Sequence, residues 1–219
     1  MIVLIITAVR IKSMDSHRIS GRILAENIAG PGMLRLVEQS MQAWARKTSV
    51  TEIAVKERKH PQAALTFDDG PDIRYTPLLL DGLKERNIRV SFFLLGEKVE
   101  QYPELVERMQ KEGHLVGNHT YHHVQLNKLN ETKAREEILK TNNLIYETTG
   151  VYPLYLRPPF GAWKKNLELC VEMLPVFWTI DTLDWKVQNT EKIVRTVQEQ
   201  IEDGAIILMH DEYDTSVEA

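Results

Sequence analysis

Residues 63–71 read A-A-L-T-F-D-D-G-P. A short apolar run ends in two adjacent carboxylates, and a Gly-Pro pair then turns the chain. An apolar run of this length bounded by turn residues is a buried strand, here Ala63–Phe67, with Asp68 and Asp69 at its C-terminal end. The theme then repeats. The sequence predicts a helix over Pro77–Arg86, a strand over Ile88–Leu95, a helix over Tyr102–Lys111 and a strand over His114–Gly117. A long helix over Glu131–Glu147 follows, then strand character at Tyr155 and Leu156, a strand over Val176–Ile180, a helix over Thr190–Glu202 and a last strand over Ala205–Met209. Alternation of this kind specifies an α/β fold, a parallel sheet or barrel covered by helices.

Residues 1–57 differ in character. Met1–Val9 is an apolar run far shorter than the ~20 residues that span a bilayer. It reads either as the remnant of an export or anchor segment or as a plain strand, and the first reading is preferred. Met33, Leu34, Val37, Met41 and Trp44 recur at helical spacing and predict one amphipathic helix. A polar connection, Val55–Pro61, leads into the remainder.

The chain has 219 residues and a formal net charge of −4. That balance gives no attraction to nucleic acid or to acidic membranes. Cys170 is the single cysteine, so an intramolecular disulfide and a cysteine-rich zinc site are excluded. It falls in the apolar-periodic stretch N-L-E-L-C-V-E-M-L and reads as a small buried hydrophobe.

Ionisable residues interrupt the strand ends. Asp68 with Asp69, His119 with His123, Arg157, Asp181 with Asp184, and His210 all follow predicted strands. In β/α barrels those ends converge on one mouth. Taken singly, each motif has a plain reading. D-D-G-P is turn chemistry, H-T-Y-H-H a surface histidine cluster, R-P-P-F-G a proline-rich loop, and D-T-L-D-W a helix cap. Taken together they suggest chemistry. His119 and His123, spaced i and i+4, would share a face on a helical turn. With Asp69 they form a two-histidine, one-carboxylate set that leaves positions open for water and substrate. His122 would point elsewhere and is read as a bystander.

The ordered set T-F-D-D-G-P, H-T-Y-H-H, R-P-P-F-G, D-T-L-D-W and L-M-H resembles the five motifs of the NodB-homology polysaccharide deacetylases, carbohydrate esterase family 4. The resemblance covers roughly residues 62–210. It implies a distorted (β/α) barrel with fewer than eight strands; the barrel domain is read as 58–219, short at its C-terminus, and the residue pattern of 1–57 as a mainly helical extension before it. It implies Asp68 as general base, with Asp69, His119 and His123 as ligands of one divalent ion, zinc first and cobalt, manganese or nickel as alternatives. Arg157 would hold Asp68, His210 would act as general acid and Asp184 would be its charge partner. The backbone N–H of Phe160 resembles the oxyanion donor, Trp185 and Leu208 would shape the acetyl pocket, and Asp181 would support its loop. This sequence departs from the family pattern at Phe160 (commonly Tyr), Val124 (commonly Pro) and His122 (often Ser).

The implied activity is metal-dependent removal of N-acetyl groups from GlcNAc-containing polysaccharide, peptidoglycan ahead of chitin-type oligosaccharide; with the export-segment reading of 1–9 it places the chain outside the cytoplasm, secreted or anchored at the bacterial envelope, with the cytoplasm as the alternative. Two alternatives stand beside it: an O-acetyl esterase acting on xylan or a similar glycan, and a non-catalytic carbohydrate-binding relative. No protein partner is implied.

Overall fold

Period-two alternation along each strand decides which side chains enter the barrel and which face the helices. The computed structural model describes residues 60–163 and 173–219. The apolar run at 1–9, the helix expected over 33–44 and Cys170 lie outside the described residues. In β1 (Ala64–Asp68), Leu65 and Phe67 pack with the covering helices, so Thr66 and Asp68 point the other way, into the barrel. β7 (Ile206–His210) runs parallel beside it with Thr66 opposite Leu208 and Asp68 opposite His210. β2 (Ser91–Leu94) and β3 (Leu115–Asn118) extend the other side, with Asp68 opposite Phe93 and Phe93 opposite Gly117. Gly117 is required there, because a Cβ would come within 2.7 Å of the Phe93 ring.

Three two-residue strands complete the sheet: β4 (Tyr155–Leu156), β5 (Leu174–Pro175) and β6 (Ile180–Asp181). The order is β5-β4-β3-β2-β1-β7-β6 and every pairing is parallel. β5 and β6 lie at opposite edges, yet only residues 176–179 separate them in sequence. Five Cα steps reach about 17 Å at most, whereas seven flat strands would set the edges about 29 Å apart. The sheet must therefore curl, and it does so as a distorted, incompletely closed barrel.

Closure corrects one expectation. Val176–Ile180 is apolar and β-branched at its ends, and was expected to be one strand. Instead it crosses the gap: Val176 N–H bonds to Leu156 O at 2.8 Å on one edge, and Thr179 N–H to Ile206 O at 2.9 Å on the other. Its apolar character serves the closure of the barrel, not membership of a single ladder.

Arg157 fills the closure from within. It is fully buried, and its guanidinium carbon lies 4.2 Å from the Phe93 ring centroid. Nη1 donates to Thr66 Oγ1 at 2.8 Å and to Asp68 Oδ1 at 2.7 Å, while Nε and Nη2 donate at 3.4 Å to the carbonyls of Val176 and Phe177. One side chain thus ties β1 to the segment that joins the sheet edges.

The outer face carries the helices: α1 (Thr76–Glu85), α2 (Gly96–Gln101), α3 (Pro103–Lys111), α4 (Glu131–Thr149), α5 (Asp184–Val187), α6 (Thr190–Gln200) and α7 (Asp214–Glu218). Phe67, Phe92, Leu94 and Met209 of the sheet pack there against Leu80, Val99, Val106, Met109 and Ile193. Burying each such side chain stabilises the fold by roughly 1.5–3 kcal/mol. Side-chain oxygens cap two helices where the sequence places Asn: Asn130 accepts from Lys133 N–H at the start of α4, and Asn189 from Lys192 N–H at the start of α6.

The Arg157–Asp68 pair carries a stability prediction. Arg157→Met keeps much of the volume but leaves a buried carboxylate without its cation, and should cost roughly 3–5 kcal/mol. Adding Asp68→Asn should recover part of that loss in urea denaturation; equal losses in the single and double variants would contradict the pairing.

Candidate active site

Two adjacent carboxylates can serve different purposes only if the backbone turns between them. Asp68 ends β1 in extended conformation, whereas Asp69 has φ 70°, a left-handed conformation that Asp tolerates better than most residues. Asp68 is 3% exposed, with Oδ1 tied to Arg157 and Oδ2 3.7 Å from His119 Nε2. Asp69 turns its Oδ1 toward both histidines, 3.3 Å from His119 Nε2 and 3.4 Å from His123 Nε2. The turn after Asp69 is fixed from the far end of the fold. Thr76 donates its hydroxyl to Asp211, and the Asp211 carboxylate occupies the space that a side chain at Gly70 would need. Burial pushes the Asp211 carboxyl up to about 7.

His119 and His123 do not share a helical turn, which corrects the expectation of i, i+4 pairing on a helix. They flank a loop with φ 68° at Thr120 and 55° at His123, and this shape brings the ring centroids to 5.1 Å. The β3 ladder ends at Asn118, whose side chain takes the Thr120 N–H at 2.6 Å and so diverts the backbone from a helix. His119 Nδ1 donates to the Arg157 carbonyl at 2.6 Å. That bond fixes a proton on Nδ1, so that Nε2 faces Asp69 and, in the neutral ring, offers it the lone pair a metal ligand needs; burial disfavours the charged ring, but the Asp68 and Asp69 carboxylates outweigh it and raise the His119 pKa. His122 turns outward to Glu137 at 2.7 Å.

On the opposite side, His210 ends β7. Its Nδ1 lies 2.7 Å from Asp184 Oδ1, and its backbone N–H donates to Asp184 Oδ2 at 2.7 Å. Ser216 of α7 donates to the same Oδ2 at 2.7 Å. Burial alone would depress the His210 imidazole; the Asp184 hydrogen bond and charge, with Asp69 and Asp68 behind them, outweigh it and raise the pKa to about 9. The same contacts hold Asp184, itself buried, below the usual carboxylate range. His210 Nε2 is left facing the site, 3.9 Å from Asp69 Oδ2.

Of the remaining residues, Phe160 packs on the ligand cluster itself. Phe160 has φ 59°, its ring is 62% exposed, and it lies 4.5 Å from the His123 ring. Gly161 and Ala162 bond back to the carbonyls of Pro158 and Pro159. Leu208 lies in β7 on the same face as His210 and is buried; Trp185, in the first turn of α5, is 49% exposed. Asp181 Oδ1 accepts the Leu183 N–H at 2.9 Å and so braces the loop that carries Asp184.

Asp69, His119 and His123 offer three ligand atoms within 4.8 Å of one another. Asp69 Oδ1 is buried without a hydrogen bond, although a buried polar atom rarely goes unpaired. Burial alone would raise the Asp69 pKa, yet the surrounding imidazoles hold it well below the usual range. Burial holds His123 low, toward the neutral imidazole. An ionised carboxylate and two directed imidazole nitrogens suit a divalent ion of the zinc type. Ser216 and Asp211 were not singled out in the sequence. Both follow L-M-H, and a short helix of mixed polarity gives no periodic signal by which to find them.

The chain is similar to proteins of known family. The polysaccharide deacetylase family model matches residues 55–176. A peptidoglycan-N-acetylglucosamine deacetylase of Bacillus cereus is 43% identical over 152 residues, covering 68% of this chain and 55% of that protein. The peptidoglycan-N-acetylmuramic acid deacetylase PdaC of Bacillus subtilis is 42% identical over 156 residues, covering 71% of this chain and 33% of that protein. The chain thus spans about half the length, or less, of these relatives. The solved structure of peptidoglycan deacetylase PdaC from Bacillus subtilis superposes with a TM-score of 0.71 at 40% identity, over 74% of this chain and 80% of that one.

His210 carries a pH prediction. A folded-state pKa raised from 6.5 to about 9 gives stability that is fully present below 6.5 and is lost as the pH rises through 9. In chelator-treated protein the His210 ring should titrate near 9 by NMR, and Asp184→Asn should lower that value. An unchanged midpoint in the variant would contradict the pairing.

Proposed function

The chain belongs to the polysaccharide deacetylase family, and on that premise we propose that it hydrolyses N-acetyl groups from GlcNAc-containing polysaccharide, with peptidoglycan the first substrate and chitin-type oligosaccharide the second. The observation that carries this reading is the placement of Asp68 and His210 on neighbouring strand ends, directly opposite in register, with the three-ligand cluster beside them. Base and acid on either side of one reacting carbonyl is what amide hydrolysis requires.

Asp69, His119 and His123 would hold a divalent ion, zinc by preference, which would supply polarisation of the acetamide carbonyl and a better water nucleophile at neutral pH. The remaining steps belong to the chain. Arg157 fixes Asp68 through Oδ1, which leaves Oδ2 to accept a proton from the attacking water. The carbonyl oxygen gains charge as the tetrahedral intermediate forms, and the Phe160 N–H donates to it. His210, its Nδ1–H directed to Asp184, gives its Nε2 proton to the amide nitrogen as the C–N bond breaks. Acetate and the free amine leave. Leu208 and Trp185 bound the space for the acetyl methyl. Peptidoglycan lies outside the cytoplasmic membrane, so the chain acts there on this reading.

The test is acetate release from N-acetylglucosamine oligomers and from isolated peptidoglycan, with and without chelator. Wild type should release acetate only when metal-loaded, and Asp68→Asn should fall by roughly 10²–10⁴-fold. Release from acetylxylan alone would replace this reading with an O-acetyl esterase, and glycan binding without turnover in metal-loaded protein would mark a non-catalytic relative.

A further inference from the structure

Glu137, on α4, lies outside all five motifs, yet it holds the loop that carries both histidines. Its Oε2 accepts the backbone N–H groups of Tyr121 at 3.1 Å and His122 at 2.9 Å, and its Oε1 lies 2.7 Å from His122 Nδ1. The carboxylate is 15% exposed. The loop needs such support. Left-handed φ values at non-glycine residues cost about 1–3 kcal/mol each, and this loop contains two, at Thr120 and His123. Its carbonyls are held from the other side, where Gly96 and Glu97 of α2 donate to Thr120 O at 2.9 Å and Tyr121 O at 3.3 Å. Gly96 leaves no slack there, since a Cβ would come 2.5 Å from the Tyr121 ring.

The two imidazoles are not anchored alike. His119 lies one residue beyond β3, with its N–H on Leu94 O at 2.9 Å and its ring on the Arg157 carbonyl. His123 lies four residues further along, and its ring meets the His119 and Phe160 rings and, through Nε2, Asp69 Oδ1 at 3.4 Å, with no backbone carbonyl holding it among the described residues. Of the bonds that fix the backbone just before it, those made by a side chain from α4 are Glu137's.

We infer that Glu137 is a positioning residue: it clamps the Tyr121–His122 backbone so that His123 is aimed at Asp69. The inference rests on the reading that Asp69, His119 and His123 hold a divalent ion. His122 is then the third partner of the clamp and not a fourth ligand.

Cobalt titration followed by visible absorption tests this on wild type, Glu137→Ala, Glu137→Gln and His122→Ala, with thermal melts as the folding control. Loss of an outer-shell support typically weakens metal binding about 10–100-fold, and Glu137→Ala should show that loss with an altered ligand-field band. Glu137→Gln should bind close to wild type, because its amide oxygen can still accept both N–H groups. His122→Ala, which leaves both backbone bonds, should also match wild type. If Glu137→Ala does not fold, Glu137→Asp, one methylene too short to reach the loop, should fold and show the same loss. Wild type that binds cobalt while folded Glu137→Ala or Glu137→Asp binds it equally well would overturn the inference alone. Wild type that binds no cobalt would overturn the metal reading and this inference with it.

Discussion

The buried guanidinium of Arg157 is the constraint on which the rest of the structure depends. It closes a barrel whose two sheet edges are joined by four residues, and the same group fixes Asp68. Its own carbonyl sets the tautomer of His119. Shape, base and ligand direction therefore meet at one residue. An unpaired charge at such depth would cost several kcal/mol, so the cation and the Asp68 carboxylate require each other. The site is built into the closure of the fold and cannot be removed from it without exposing that cost.

The geometry divides the ionisable groups by environment. Asp68 has a cation on one oxygen. Asp69, one residue on, has imidazoles. His210 has a carboxylate that is itself held by Ser216 and by the His210 backbone. The contacts of Asp69 and His210 each favour one protonation state, and the three environments suit the separate parts of ligand, base and acid in the proposed hydrolysis. α7 contributes to this: without Ser216, one of the donors that keep Asp184 ionised would be missing.

Much of the fold was legible because long periodic segments declare themselves. The helix expected over Glu131–Glu147 is observed as Glu131–Thr149, and the strand expected over Ala63–Phe67 as Ala64–Asp68. The signal failed where tertiary context overrides it. Val176–Ile180 has strand composition but bridges two edges, and that depends on how the whole sheet curls. The H-T-Y-H-H segment has helical spacing, yet Asn118 and Glu137 offer its N–H groups side-chain acceptors and draw it into a left-handed loop. The site residues were legible as a set because five polar interruptions at strand ends are visible in sequence. Their supports were not, since Glu137, Asp211 and Ser216 lie on elements whose sequence resembles that of any solvated helix or turn.

The most direct test is a crystal structure of the zinc-loaded protein, with anomalous data collected at the zinc edge. One peak per chain is expected, within about 2.0–2.2 Å of an Asp69 oxygen and of Nε2 of both His119 and His123, with Asp68 still bonded to Arg157 and free of the ion. A peak bound through Asp68 in place of Asp69, or no peak among these residues, would contradict this assignment.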